Sequence, residues 1–216
     1  STPDENNNGE YKPKLGDLDL QMVDGVRDLG VWVDKSSSCC DHIKKICTTA
    51  HSRANLIFRS FTSGNVDSLV KAFKVYVRPL VEYNSPIWSP TQLKYIDMIE
   101  RVQRRFTKRI RGLKTKSYYQ RMKQLGLESL EVRRLRTDLI TTYKILFGHL
   151  NIGTHDMFKI KEYQGPRRHR FQLRIPICQS ATRRSFLASR VITAWNGLPT
   201  RTQFTSSSAF KKSLKN

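Results

Sequence analysis

The chain has 216 residues and a formal net charge of +21, because 39 lysines and arginines outnumber 18 aspartates and glutamates. This charge favours a polyanionic partner, either nucleic acid or an acidic membrane surface. No stretch approaches the roughly 18–20 apolar residues that a membrane-spanning helix needs, so the sequence predicts no membrane span. The polar N-terminus also shows no signal peptide.

The sequence contains no motif for a metal or a bound nucleotide. Its cysteines include no CxxC pair with zinc-site spacing, and we interpret them as reduced thiols of an intracellular protein. No GxGxxG or GxxxxGK[ST] sequence occurs, so a phosphate-binding loop is not indicated. We therefore expect no cofactor in this chain. The cysteines are Cys39, Cys40, Cys47 and Cys178.

The N-terminal part predicts a tail followed by a small hairpin. Residues 1–16 are polar and contain glycine and proline, and we expect them to be flexible. Residues 17–36 include the stretch LQMVDGVRDLGVWVD, whose pattern predicts two short strands around a tight turn at Asp24–Gly25.

Residues 38–150 are predicted to form a helical bundle. The first helix should extend to about residue 61, and Ser38 followed by Asp41 resembles its N-cap. Asn65 can cap a second helix, which Pro79 should end or kink. Further helices are predicted at about 91–111, 117–125 and 128–147.

The stretch IERVQRRFTKRIR, from Ile99 to Arg111, is amphipathic and its polar side is basic. At about 100° per residue its apolar side chains form one stripe about 120° wide, as in a core-facing helix. The opposite arc is cationic, with Glu100 on its border. Like charges at i,i+4 repel, so the arc is either a solvated face or a surface that binds phosphates. The apolar residues are Ile99, Val102, Phe106 and Ile110, and the basic ones are Arg101, Arg104, Arg105, Lys108, Arg109 and Arg111.

The helix at 128–147 repeats this arrangement. One face carries apolar residues and the other carries three arginines. Between Ile99 and Arg136 there are thirteen lysines and arginines against three acids, so we expect the two helices to share a basic groove. The apolar residues are Val132, Leu135, Leu139, Tyr143 and Leu146, and the arginines are Arg133, Arg134 and Arg136.

The late part of the chain is basic and mixed in pattern. PRRHRFQLRIPIC, residues 166–178, alternates as a strand does, and its polar face is basic. SFLASRVITAWNGLP predicts one short helix closed by Gly197 and Pro199, and a last helix is predicted at Ser206–Leu214. We expect Trp88 and Trp195 to anchor the core and Trp32 to be the more exposed tryptophan.

Six stretches of the chain follow one another in the order found in a known family. They are LGVWVD (29–34), DHIKKI (41–46), YVRPLVEYNSPIWSP (76–90), IERVQRRFTKRI (99–110), LESLEVRRLRTDLITTYKIL (127–146) and RVITAWNGLP (190–199). In this order they resemble the C-terminal part of reverse transcriptases from non-LTR (LINE-type, jockey-like) retrotransposons. The resemblance spans about 29–214, and the basic turn at 168–169 also fits it.

The resemblance implies a role for each part. The hairpin of 17–36 would close the polymerase palm, the bundle of 38–150 would be a thumb that grips primer–template, and 151–216 would be a basic C-terminal extension. The family's enzyme copies RNA into DNA with Mg²⁺ held by palm aspartates. The Tyr/Phe-x-Asp-Asp turn that supplies them is not in this sequence. We therefore expect no catalytic residue, no Mg²⁺ and no polymerase activity in this chain alone.

The predicted fold is mainly α, a thumb-like helical bundle with a small N-terminal β-hairpin and a short late β element. The predicted function is that of a C-terminal fragment of an RNA-directed DNA polymerase, acting in the nucleus with upstream palm and fingers. It would bind RNA, DNA or an RNA–DNA duplex through phosphates. The alternative is a transposon-derived remnant that is a protein-interaction module or has no function. Candidate phosphate-binding residues are Arg101, Arg104, Arg105, Lys108, Arg109, Arg111, Arg133, Arg134, Arg136, Arg167, Arg168 and His169.

Overall fold

A computed structural model describes residues 14–19, 23–35, 39–61, 64–153, 157–162 and 169–214. These residues are mainly helical, with a small antiparallel hairpin near the N-terminus and short helices late in the chain, which confirms the predicted fold class. The strands are β1 (Lys14–Leu15), β2 (Leu18–Asp19), β3 (Gly25–Asp28) and β4 (Val31–Asp34). The helices are α1 (Cys40–Ser60), α2 (Val66–Ala72), α3 (Ser85–Trp88), α4 (Leu93–Arg109), α5 (Tyr118–Leu125), α6 (Leu130–Leu146), α7 (Ala181–Ser185), α8 (Leu187–Arg190), α9 (Ile192–Asn196) and α10 (Ser207–Ser213).

The turn of the main hairpin lies at Leu29–Gly30, so the predicted position at Asp24–Gly25 was wrong. β3 and β4 pair antiparallel along their whole length, and the two turn residues have φ of 44° and 87°. Positive φ at both central residues is the signature of the type I′ turn, whose twist suits a two-residue hairpin. Gly25 instead begins β3, where an added Cβ would lie 3.2 Å from the Val33 carbonyl oxygen.

A second, smaller hairpin precedes the main one. β1 and β2 pair antiparallel with Lys14 opposite Asp19. The segment 1–16 that we expected to be flexible therefore ends in a strand, and its residues 1–13 lie outside the described part of the chain.

Two helix starts test the predicted caps. Cys39, with φ of 50° and no side-chain cap bond, occupies the position before α1, while Ser38 lies outside the described residues. The Asn65 cap is confirmed, because its Oδ1 accepts the Ser68 backbone N–H at 2.9 Å. Pro79 acts as predicted: α2 passes into a π-helical turn at Phe73–Val77 and a 3₁₀ turn at Arg78–Val81, because proline has no N–H for an i→i−4 bond.

Buried polar side chains fix α5 against α4. The Gln103 Nε2 donates to the Glu128 carbonyl at 2.9 Å and to the Tyr118 hydroxyl at 3.1 Å. Arg121 donates to the Thr107 hydroxyl at 3.1 Å and to the Lys116 carbonyl at 2.6 Å. The loop that leaves the C-terminal end of α4 is therefore held at both of its ends.

In the described part of the predicted late strand, residues 169–178, the β pairing is a single bridge between Ile160 and Leu173. Its later apolar residues are solvent-exposed, Ile175 by 68% and Ile177 by 97%. The Asn196 side chain takes the place of a neighbouring strand, because it accepts the Leu173 N–H and donates to the Leu173 carbonyl, both at 2.8 Å. The one helix predicted at 185–199 is a succession of short helices, of which α8 and α9 lie within it.

The buried apolar side chains form two clusters that share α6. The first cluster runs from the hairpin to Leu130 at the start of α6, and it includes Trp88. The second begins at Leu139 within α6 and includes Trp195 and Phe210. Both tryptophans are core anchors as predicted, whereas Trp32 is half-buried beneath the Lys45 ammonium group, 3.2 Å from the ring centroid.

Candidate nucleic-acid interface

The apolar stripe of α4 lies in the first cluster as the sequence predicted. Ile99, Val102 and Phe106 are fully buried, and so is Ile110 just past the helix. The basic side chains of Arg101, Arg104, Arg105, Lys108, Arg109 and Arg111 are exposed on the other side.

Two of these arginines are already paired with a carboxylate. The two oxygens of Asp97 accept from Arg101 at 2.7 Å and from Arg104 at 2.8 Å. These hydrogen bonds lower the pKa of Asp97, so the carboxylate is charged at neutral pH. Asp97 lies two residues before the basic stretch Ile99 to Arg111, and its charge offsets the N-terminal half of the basic arc.

On α6, Arg133 and Arg136 also pair with carboxylates of the chain. Arg136 donates from both Nη atoms to the Glu128 oxygens, at 2.5 and 2.6 Å. Arg133 donates to both oxygens of Glu82, and its Nη1 lies 3.7 Å from Glu128. These bonds raise the pKa of both guanidinium groups. A phosphate would have to displace a carboxylate to reach either arginine.

Arg134 lies in the interior, so its predicted place on the outward face of α6 was wrong. It is 2% exposed, in one i,i+4 row with Leu130 and Asp138, which are also buried. Burial lowers the pKa of its guanidinium group, while Glu100, Glu131 and Asp138 favour the charge. Val132 and Leu135, predicted for the buried face, are about half exposed. The buried face of α6 is thus rotated towards Arg134.

The late basic turn contributes no described surface cation. His169 is buried, with its Nε2 2.9 Å from the Trp195 carbonyl and its ring edge-on to the Trp195 ring. Its predicted role on a phosphate-contacting surface was therefore wrong, since it packs in the second cluster. Arg167 and Arg168 lie outside the described residues.

The remaining cations surround one groove between α1 and the C-terminal end of α4. This α1–α4 groove has a volume of about 720 Å³, and its floor includes Ala54, Val102 and Phe106. No carboxylate is among its described lining residues, and none of its cations forms an ion pair within the described part of the chain. The groove cations are Arg105, Lys108, Arg109, Arg111 and Lys114, the last of which the sequence pattern did not single out.

Arg109 is held in place at the groove. Its Nη1 donates to the Asn55 side-chain oxygen at 2.5 Å, and its guanidinium group lies 4.2 Å from the centroid of the Phe58 ring. The hydrogen bond uses one of the five guanidinium N–H donors, and neither partner is charged, so the positive charge is not neutralised by these contacts. The groove therefore combines one oriented guanidinium group with four further cations.

The pKa of His51, in α1, depends on the positive charges near this groove. Its pKa is lowered by burial and then by the nearby Arg105 and Arg101, so the ring is neutral at pH 7. Its neutrality leaves the five cations as the charged groups of the described lining.

Replacing Arg105 by glutamine is expected to raise the pKa of His51, because removal of a nearby cation favours the protonated ring. The pH titration of the His51 ring signals by NMR measures the change. His42 is the internal control, since burial and then Arg27 and Lys45 lower its pKa. Arg27→Gln should raise the pKa of His42 and leave that of His51 in place. Equal movement of both histidines in Arg105→Gln would contradict the local effect.

Three further features of the described residues bear on chemistry. No three histidine, cysteine, aspartate or glutamate side chains there lie together as a metal site would require. No described helix combines the length and apolar character needed to cross a bilayer. None of the four cysteines, all of which lie in the described residues, forms a disulfide.

Comparisons with known proteins found one similarity that bears on this chain. No protein family matches the sequence, and no solved structure matches it. An uncharacterized protein of Caenorhabditis elegans is 27% identical over 126 residues. The aligned region covers 57% of this chain and 64% of the worm protein, which is less than two thirds of that relative. This similarity assigns no ligand or reaction to the fold.

Proposed function

We propose that the chain binds nucleic acid through phosphates in the α1–α4 groove. The observation that carries the proposal is a set of five cations around one groove with no carboxylate in its described lining. Arg105, Lys108 and Arg109 are three and four residues apart on α4, and like charges at these spacings repel. An anion bound between them would remove this repulsion. Phosphate oxygens accept from arginine and lysine and occur at regular intervals along a nucleic acid.

Such contacts fix the position of a nucleic acid and carry no sequence information. Binding would therefore be tolerant of sequence, as a grip on primer–template requires. Within this proposal the chain is the C-terminal fragment of an RNA-directed DNA polymerase of a non-LTR retrotransposon, and it works in the nucleus. Palm and fingers upstream would supply the aspartates and the Mg²⁺, and this chain would hold RNA, DNA or their hybrid.

The structure changes the extent of the proposed surface. Arg101, Arg104, Arg133 and Arg136 are paired within the chain, and Arg134 is buried. The two-helix groove expected from the sequence is thus replaced by a groove between α1 and α4. This internal pairing is also the observation that favours the second candidate, a transposon-derived remnant whose residual charge docks on acidic protein.

Duplex affinity is expected to depend steeply on salt. If five cations each engage one phosphate, log K against log salt should fall with a slope of about −4 to −5. Fluorescence anisotropy of a labelled duplex, repeated across a salt series at constant pH, measures this slope. A slope close to zero would contradict binding through phosphates. Two unrelated duplex sequences serve as the control and should give the same slope within error, because the contacts do not read bases.

A further inference from the structure

A second concave surface lies where the two buried clusters meet. This α3–α6 cleft has a volume of about 710 Å³ and lies between α3, the C-terminal half of α6 and the α7–α8 segment. Its described lining is largely aliphatic, and three large apolar side chains at its edge, Ile87, Ile152 and Phe186, are about half exposed. Exposed apolar side chains gathered at one concave site are typical of an interaction surface.

One residue of the segment 175–177 contributes to this apolar surface. Pro176 lines the cleft, and its neighbours Ile175 and Ile177 are 68% and 97% exposed. The sequence pattern predicted a strand here, with a basic polar face. In the structure both isoleucines are exposed instead, and Ile175 lines a different concave surface together with Thr193 and Leu198.

The charges at the cleft are positive. Lys144 and Arg183 line it, no carboxylate is among its described lining residues, and neither cation forms an ion pair within the described part of the chain. A second copy of this chain, with net charge +21, would bring more positive charge to these two cations. Nucleic acid fits less well, because Phe186 is the one aromatic ring in the described lining and most bases would meet aliphatic surface.

The cleft is also rigidly formed. Arg190, at the end of α8, donates to the Pro86 carbonyl at 2.8 Å and binds Asp138 of α6 through two hydrogen bonds of 3.0 Å. The Arg190 side chain, which is 9% exposed, thus joins the three elements whose outer sides form the cleft. A preformed site reduces the ordering that accompanies binding.

We infer that the α3–α6 cleft binds an acidic amphipathic segment of a partner protein. Apolar side chains of the segment would fill the cleft beside Ile87 and Phe186, and flanking carboxylates would pair with Lys144 and Arg183. This is the helix-in-groove mode of recognition, read as anchors at i, i+4 and i+7. The inference is independent of the α1–α4 groove, which lies on other elements.

A displayed library of random peptides, selected against the full chain, tests the chemistry of the ligand without assuming its sequence. The selected peptides are expected to carry apolar residues at i, i+4 and i+7 with aspartate or glutamate beside them. They should bind Lys144→Glu/Arg183→Glu about tenfold more weakly than wild type, and Lys211→Glu/Lys212→Glu within about twofold of wild type. The second pair is a matched control, because Lys211 and Lys212 are exposed on α10 and the change in net charge is the same.

A neutral variant separates specific docking from general attraction to a basic protein. Ile87→Ser should weaken the selected peptides, whereas Leu93→Ser, at a site that is exposed elsewhere, should not. Selected peptides without carboxylates would overturn the inference. So would selected peptides that bind the Lys144→Glu/Arg183→Glu variant and the Lys211→Glu/Lys212→Glu variant with equal affinity. So would a duplex whose affinity falls more with Lys144→Glu/Arg183→Glu than with the control pair, since nucleic acid would then be the occupant.

Discussion

Glutamate at Arg105, Lys108 and Arg111 together is expected to lower duplex affinity about a thousandfold at ~0.1 M salt, because each lost phosphate contact forfeits about one power of ten there. The salt slope should shrink from about −4 or −5 to about −2. Fluorescence anisotropy with the same labelled duplex measures both quantities. All three residues are exposed and form no ion pair in the described part of the chain, so the variant should fold as wild type does.

The control for this variant is a second triple reversal with the same loss of net charge. Arg201, Lys211 and Lys212 are exposed on the C-terminal part of the chain, away from the α1–α4 groove. Their replacement by glutamate should lower affinity much less than reversal of the groove cations. Equal losses in the two variants would mean that net charge alone attracts the duplex, and the proposed groove would have no special role.

The second large effect is expected on stability. Arg190→Met should lower the free energy of unfolding by about 3–5 kcal/mol, because it leaves the buried Asp138 carboxylate without its partner. Burial already raises the pKa of Asp138, and Arg190 is the chief group that opposes this rise. Removal of the guanidinium group also leaves the Ser185 carbonyl, which it contacts at 2.6 Å, without that donor. Urea denaturation at pH 7 followed by circular dichroism measures the loss.

The double variant Arg190→Met/Asp138→Leu isolates the cause of this loss. With both charges replaced by apolar groups, the loss should be clearly smaller than in Arg190→Met, since a buried ion pair can often be exchanged for apolar packing at little net change. A double variant that is less stable than the single one would show that the pair itself, and not the orphaned carboxylate, dominates.

Local patterns in the sequence predicted the parts of the fold that depend on local physics. The stripe of α4 follows from helical periodicity alone, and the Asn65 cap from the chemistry of a short side chain beside free backbone N–H groups. The end of α5 at Leu125 matches the predicted helix at 117–125, and Gly126 follows it with φ of 56°. The cores around Trp88 and Trp195 likewise follow from residue type.

The candidate surface was harder to predict because it depends on distant partners. Glu82 is 51 residues from Arg133, and no local pattern indicates that these side chains meet. Asp97 was within reach of a local rule, since it lies at i−4 from Arg101, but it precedes the most basic stretch. For α6, apolar residues occur on two adjoining faces, and packing against its neighbours buried the one that contains Arg134.

The late β element is shorter than the alternating pattern predicted, for a different reason. Alternation predicts which side chains share a face, but the length of a strand depends on the backbone that pairs with it. Within the described residues, 159–161 pair with 172–174 through two backbone hydrogen bonds, of 2.9 and 2.7 Å, around a single bridge. Here Asn196 satisfies Leu173 from the side, and the Trp195 indole N–H satisfies the Phe171 carbonyl at 2.7 Å. Both partners, Trp195 and Asn196, lie next to each other in RVITAWNGLP. The sequence pattern predicted only a helix for this stretch.

α6 contributes side chains to both buried clusters. The change of composition near residue 150 is therefore not a boundary between two independent domains in the described part of the chain. The helix has 17 residues and is about 25 Å long. A cut near residue 150, which composition would suggest, would strip the Phe210 ring from Tyr143, where the two rings stack with centroids 4.7 Å apart. The shortened protein would expose the apolar surface that Phe210 now covers, and it would tend to aggregate. The two parts of the chain should therefore be expressed together.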